Sequence, residues 1–242
     1  QPNDDWKTIY GAALIEKAIL KRNLSFVKKL INLGVNIDIK NKKGSTPLEV
    51  AKKTGAEEIA QWLINTGADE SLVRTFELKG SYFGQKPPRL TPEIFVPNFI
   101  SIEEYEFGSV FNKAGTEFYY GVDVNGKPEI RYSKLVNNTW SQPKLLLPDD
   151  SLDYNDPFLS PDEQRLYFIS RRPTNDEDTS NDHDIWFVER ETDGWSEPIN
   201  AGPKINSPGN EYYISFTQEG TMFFSSSINA PEDNTDDLDI YY

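Results

Sequence analysis

Apolar residues follow two different rhythms along this 242-residue chain. In the first third they fall at helical spacing: Ala12-Ala13-Leu14-Ile15 with Ala18-Ile19, then Phe26-Val27 with Leu30-Ile31. Asn23 precedes the second run and can cap it, and Gly34 follows it, where a left-handed residue ends a helix. The pattern then returns. Ala18, Phe26, Leu30, Ile31 and Gly34 recur as Ala51, Ile59, Leu63, Ile64 and Gly67, each 33 residues later. The second copy opens on Gly44-Ser45-Thr46-Pro47-Leu48, with Thr46 placed to cap a helix whose first turn holds Pro47. Trp6 and Tyr10 before the array, and Val73 and Phe76 after it, are placed to close its ends.

Beyond residue 100 the rhythm shortens to runs such as Leu166-Tyr167-Phe168-Ile169-Ser170, rich in aromatics and bounded by turn residues. These runs repeat at a spacing of 55 residues. Trp140-Ser141-Gln142-Pro143 returns as Trp195-Ser196-Glu197-Pro198, and Glu129-Ile130-Arg131-Tyr132 returns as Asp184-Ile185-Trp186-Phe187 and again as Asp239-Ile240-Tyr241-Tyr242. A fixed period of this size means one supersecondary unit copied several times. Each copy reads as four short strands, enough for one blade of a β-propeller. The chain thus divides into 1–79, a Pro-rich connection 80–100 and 101–242. Pro87, Pro88, Pro92 and Pro97 forbid a helix in that connection. Its Ile94, Phe95, Val96, Phe99 and Ile100 are too apolar to stand in water, so the connection is expected to pack on the strands or to join them.

The 33-residue unit resembles the ankyrin repeat, in which TPL, Ala, a Gly turn and an apolar helix ending in Gly-Ala-Asp follow in that order. The resemblance covers roughly residues 10–70, with Leu14 in place of Pro47 in the first copy and Glu49 where the family has His. It implies an all-α array that binds proteins through turn tips and inner helices. The 55-residue unit, with SPD-x-x-x-LYF, DIW and GWSEP in its best copy, resembles the WD-like propeller repeats of the TolB type over roughly residues 91–242. In the first and third copies, Asn112-Lys113-Ala114-Gly115 and Thr217-Gln218-Glu219-Gly220 stand at the SPD turn. That resemblance implies an all-β propeller and a periplasmic or secreted location. Residues 101–242 have room for about three blades where 4–8 usually close a ring. A propeller that continues past Tyr242 is the expected reading, and a ring shared by two chains is the alternative.

Charge sharpens the division. Residues 1–79 hold 13 Lys+Arg against 10 Asp+Glu, whereas 80–242 hold 12 against 29. So acidic a region repels phosphate backbones, which argues against nucleic acid as a partner. No apolar run approaches the roughly 20 residues of a membrane-spanning helix. With no Cys in the chain, thiol chemistry, cysteine metal sites and disulfides are excluded. The first residue is Gln rather than Met, which fits either removal of a signal peptide or a trimmed chain.

Candidate chemistry is sparse. Lys40, Asn41, Lys42 and Lys43 form a basic turn tip in the array and are the candidate partner-binding residues, a solvated turn being the plain alternative. His183 is the chain's only histidine, expected in a solvated loop, and no motif for nucleophilic or zinc catalysis accompanies it. Asp176-Glu177-Asp178 with Asn181-Asp182, and Glu232-Asp233 with Asp236-Asp237, are oxygen-rich loops of the kind Ca²⁺ uses, but their spacing is not that of an EF-hand. No other cofactor is implied. Asp184 and Asp239 are expected to tie down strand backbone donors, and Trp140 and Trp195 to cover the gaps between neighbouring blades. The combined expectation is a non-catalytic binding or scaffold protein whose partners are a protein or peptide, with a glycan as a further ligand. A carbohydrate-active enzyme using a carboxylate pair is the rival reading.

Overall fold

The computed structural model describes residues 5–73, 78–86, 90–97, 99–102, 104–124, 126–147, 152–175, 177–231, 234 and 237–242. Two compact units emerge. One holds residues 1–103 with 135–144, and the other holds 104–134 with 145–242.

The first unit begins with five helices, α1 (Asp5–Ile9), α2 (Gly11–Leu20), α3 (Leu24–Asn32), α4 (Pro47–Lys53) and α5 (Glu57–Thr66). Their limits follow the side chains that cap them. Asn23 Oδ1 accepts from Phe26 N at 2.9 Å to start α3, and Thr46 Oγ1 accepts from Glu49 N at 3.2 Å to start α4, with Pro47 in its first turn. Gly34 and Gly67 follow α3 and α5 at φ 92° and 102°, a region that glycine enters without steric cost. The apolar faces meet in one core: Ile15, Ile19, Val27, Leu30, Leu48, Ile59 and Leu63 are all at most 2% exposed. Trp6 and Val73 pack against this core as expected. Tyr10 does not; its ring is 61% exposed, because α1 turns directly into α2 and Tyr10 falls on the outer side of that junction. Phe76 lies outside the described residues. The two copies are tied together by Arg22 donating to Thr54 O at 3.3 Å and by Asp69 N donating to Asp38 Oδ1 at 3.0 Å.

The connection meets its expected partner in a hairpin. Trp140 N donates to Leu78 O, and Trp140 Nε1 donates to Gly80 O, both at 2.8 Å. Phe83 stacks on the Trp140 indole with centroids 3.9 Å apart, and Phe99 packs edge-on against Phe83. Val96, Phe99 and Ile100 are buried, but Ile94 stays 70% exposed. Trp140 is thus covered by the connection. The extended backbone at Leu78–Gly80 takes up its hydrogen bonds and lays the connection over the ring.

The strands form antiparallel sheets; residues 135–144 belong to the first unit and the remaining strand residues to the second. The strands β1 (Tyr105–Phe111), β2 (Glu117–Asp123) and β3 (Pro128–Val136) pair in order; β4 (Thr139–Trp140) and β5 (Lys144–Leu145) both pair with β3. Next come β6 (Asn155–Leu159), β7 (Arg165–Ser170) and β8 (Asp184–Glu191), with β9 (Gly194–Trp195) and β10 (Ile199–Asn200) both on β8. The last sheet is β11 (Glu211–Phe216), β12 (Met222–Ser226) and β13 (Asp239–Tyr241). The expected fourth strand is thus broken into two short pieces in the first two sheets. Pro143 and Pro198 explain the break, since each removes a ladder donor between the pieces.

Alternation along β7 shows how the sheets stack. Leu166 and Phe168 face a core shared with Tyr119 and Ile130 of the first sheet, while Tyr167 and Ile169 face one shared with Ile214 and Phe224 of the third. Trp195 fills the first of these interfaces as expected, edge-on to Tyr119 at 6.0 Å and under the Arg190 guanidinium at 4.4 Å. Among the opening strands, β6 lies against both β1 and β11. Each carries a β-bulge with one residue at positive φ: Gly108 at 38°, Asp156 at 48° and Tyr213 at 56°.

Candidate functional site

The basic tip of the helical array is a built turn. Asn41 Oδ1 accepts from Lys43 N at 3.0 Å and from Ser45 N at 2.9 Å, an Asx-type arrangement that fixes the loop. The other end of the same amide donates to Glu16 Oε1 at 2.8 Å and anchors the loop to α2. Asn41 is thereby committed to structure, whereas Lys40, Lys42 and Lys43 are exposed around it. Of the four residues singled out in the sequence, three present charge and one holds the turn that presents it.

The second unit contains a polar site that the sequence did not announce. His183, read there as a solvated loop residue, is only 9% exposed. Its Nδ1 lies 2.8 Å from the Tyr212 hydroxyl and its Nε2 lies 3.3 Å from Asp153 Oδ2. Its backbone N–H donates to Asn210 Oδ1 at 2.9 Å, and its carbonyl accepts from Glu211 N at 2.7 Å. The ring is held because the loop before β8 lies between the loop that leads into β6 and the start of β11. Asp153 also accepts from Arg171 N at 3.0 Å. Burial raises the Asp153 carboxyl, but the hydrogen bonds from His183 and Arg171 outweigh it and hold the group below its ordinary value. Asp156 has no such donors among the described residues; its burial pushes its carboxyl up, with His183 pulling the other way. Glu211, fully buried, is also raised by burial, against the hydrogen bonds from Ser207 and Ser226.

Beside His183 opens a cavity of about 470 Å³. Asp123, Lys127, Asp153, Arg171, Asn181 and His183 are among the residues that line it. Its size is within the range of small-ligand sites.

The described part of the first acidic loop is hydrogen-bonded to itself. Asp178 turns inward, accepting from Thr174 N and Oγ1 and from Ser180 N and Oγ, and these bonds hold its carboxyl well below the usual range. Among the described residues no group of three acidic or imidazole side chains is placed to hold a metal. Asp176, Glu232, Asp233 and Asp236 lie outside them. The expected role of Asp184 is also corrected. Its carboxylate accepts from the Asn200 amide at 2.7 Å, while Asn206 binds both the N–H and the carbonyl of Ile185, at 2.9 and 3.0 Å. A carboxylate offers no donor, whereas an amide can satisfy both backbone groups at once.

Comparison with known proteins assigns the first unit's helices. A family model described as Ankyrin repeats (3 copies) matches residues 3–74. The N-terminal helices are ankyrin repeats. Protein phosphatase 1 regulatory subunit 27 of Homo sapiens is 41% identical to this chain over 59 residues, 24% of this chain and 38% of the relative. The Mus musculus protein of the same name matches with the same figures. The chain therefore spans well under half the length of the curated relatives it matches. Among solved structures, TolB from Acinetobacter baumannii is similar over 54% of this chain and 30% of its own, with TM-score 0.34 and 17% identity. A prolyl endopeptidase is similar over 52% of this chain and 17% of its own, with TM-score 0.36 and 14% identity. Both are β-propeller-like proteins. At such scores, the arrangement of the sheets rests on this chain's own geometry.

Proposed function

We propose that this chain is a non-catalytic binding or scaffold protein of the cell envelope or exterior, engaging an acidic protein surface through its ankyrin array. In this reading residues 104–242 are part of a β-propeller and form a second binding platform. The observation that carries the proposal is the ankyrin match over residues 3–74, a repeat that implies protein partners. The exposed Lys40, Lys42 and Lys43 on the Asn41 turn supply the charge that selects such a partner. The test is affinity capture from the native source, followed by titration of the recovered partner against the wild type and a Lys40→Glu/Lys42→Glu/Lys43→Glu variant. A partner retained equally by both proteins removes the tip from the interface. The envelope or exterior location follows from the TolB-type repeat resemblance, and protease accessibility on intact cells tests it.

One observation favours the rival carbohydrate-active enzyme. Asp156 sits on the bulge of β6 close to β1, where a Cβ on Gly108 would lie 2.9 Å from its Oδ1, and burial raises its carboxyl as a general acid requires. Glycan hydrolysis abolished by Asp156→Asn would establish that activity. Glycan binding that survives the same change without turnover supports the platform.

A further inference from the structure

The cavity beside His183 combines features that no single structural role explains. Two of its lining residues, Asp153 and His183, are paired, and the His183 ring is held from its other nitrogen by Tyr212. Around it stand side chains whose hydrogen-bonding capacity is unspent: Lys127, Asn155, Arg171 and Asn181 make no side-chain hydrogen bond among the described residues. Two cations collected in a region that holds 12 Lys+Arg against 29 Asp+Glu need a reason. A simple anion is a poor one, since Asp123 and Asp153 line the same space. A simple cation is opposed by Lys127 and Arg171. A ligand carrying both charges satisfies all four.

We propose that this cavity binds a small zwitterion bearing one ammonium and one carboxylate group, of the size of a free amino acid or dipeptide. Arg171 and Lys127 take the carboxylate, the guanidinium by paired hydrogen bonds. Asp123 and Asp153 face the ammonium, and the Asn155 and Asn181 amides meet the polar groups between the two ends. The volume of about 470 Å³ is within the range of small-molecule sites. This inference rests on reading residues 104–242 as a binding platform and is independent of the ankyrin array, so its failure leaves partner binding at the Lys40–Lys43 tip untouched.

A single histidine makes the test direct, because the imidazole gives one unambiguous set of NMR signals. The probes are free alanine, the dipeptide alanyl-alanine, and the same dipeptide with its amine acetylated or its carboxyl amidated. The expected result is a saturable shift of the His183 ring signals with alanine or the free dipeptide, lost when either charge is blocked. Arg171→Gln is expected to weaken binding about tenfold, the scale of one charge-assisted contact, with an otherwise unchanged amide spectrum. Arg171 is exposed, so the substitution leaves the fold in place. Ring signals that stay fixed at saturating probe overturn the proposal. So does an equal response to the blocked dipeptides, or a response that Arg171→Gln leaves unchanged.

Discussion

At the residue scale, this molecule shows how far a side chain's role depends on what the fold brings beside it. His183 stands between Asp182 and Asp184 in the sequence, and nothing there distinguishes it from a solvated loop residue. Its partners come from 27 to 30 residues away on either side, Asn210 and Tyr212 after it and Asp153 before it, so no local pattern could have found them. Asn206 was equally hidden, since the adjacent Asp184 looked like the backbone tie that Asn206 provides. Capping residues were legible because their partners are local: Asn23, Thr46 and Pro47 act where the pattern placed them. Thr46→Ala is expected to lower thermal stability by about 1 kcal/mol through the lost cap, read by denaturant unfolding. Asp153→Asn is expected to cost about 1–2 kcal/mol at neutral pH, as the bond from His183 loses its charged acceptor. The folded-state Asp153 carboxyl titrates below its ordinary value, so its contribution is present above pH about 4 and lost as pH falls through that lower value. The gap between wild type and Asp153→Asn should therefore close as pH falls below about 4. A gap that keeps its full size well below that pH would contradict the assignment.

At the scale of elements, periodicity carried most of the information. The helix pairs α2–α3 and α4–α5 lie where the 33-residue pattern put them, and the strand triplets follow the 55-residue one. The turn at the SPD position is closed by different chemistry in each repeat. Ser160 and Asp162 close it in the second sheet, Asn112 Oδ1 accepts from Thr116 N and Glu117 N in the first, and Thr217 Oγ1 accepts from Thr221 N in the third. Sequence reasoning missed the bulges of β1, β6 and β11, because a bulge depends on the partner strand's register. One close approach it also missed is the pair Phe107 and Gly121, directly opposed on β1 and β2. A Cβ on Gly121 would run into the Phe107 ring. Gly121→Ala is accordingly expected to destabilise the second unit by about 1–3 kcal/mol, and Phe107→Ala in the same chain to relieve part of that cost. Trp195→Ala should be more damaging, about 3 kcal/mol, because it empties the space against Tyr119 and Arg190.

At the scale of the whole molecule, the chain joins an ankyrin array to a run of antiparallel sheets whose β7 is buried on both faces. The array is where similarity to known proteins is strong and where a protein partner is implied. The sheets hold a histidine fixed by three neighbouring side chains and an open cavity of mixed charge beside it. Charge divides along similar lines, a basic tip on the helices and most of the acid beyond residue 79. The most direct test of the central claim is the affinity of the recovered protein partner, measured by calorimetry at two salt concentrations for the wild type and the triple Lys→Glu variant at Lys40, Lys42 and Lys43. Binding through the tip predicts an affinity at least tenfold weaker in the variant and a wild-type affinity that falls with salt. Equal affinities for the two proteins, unchanged by salt, would contradict it.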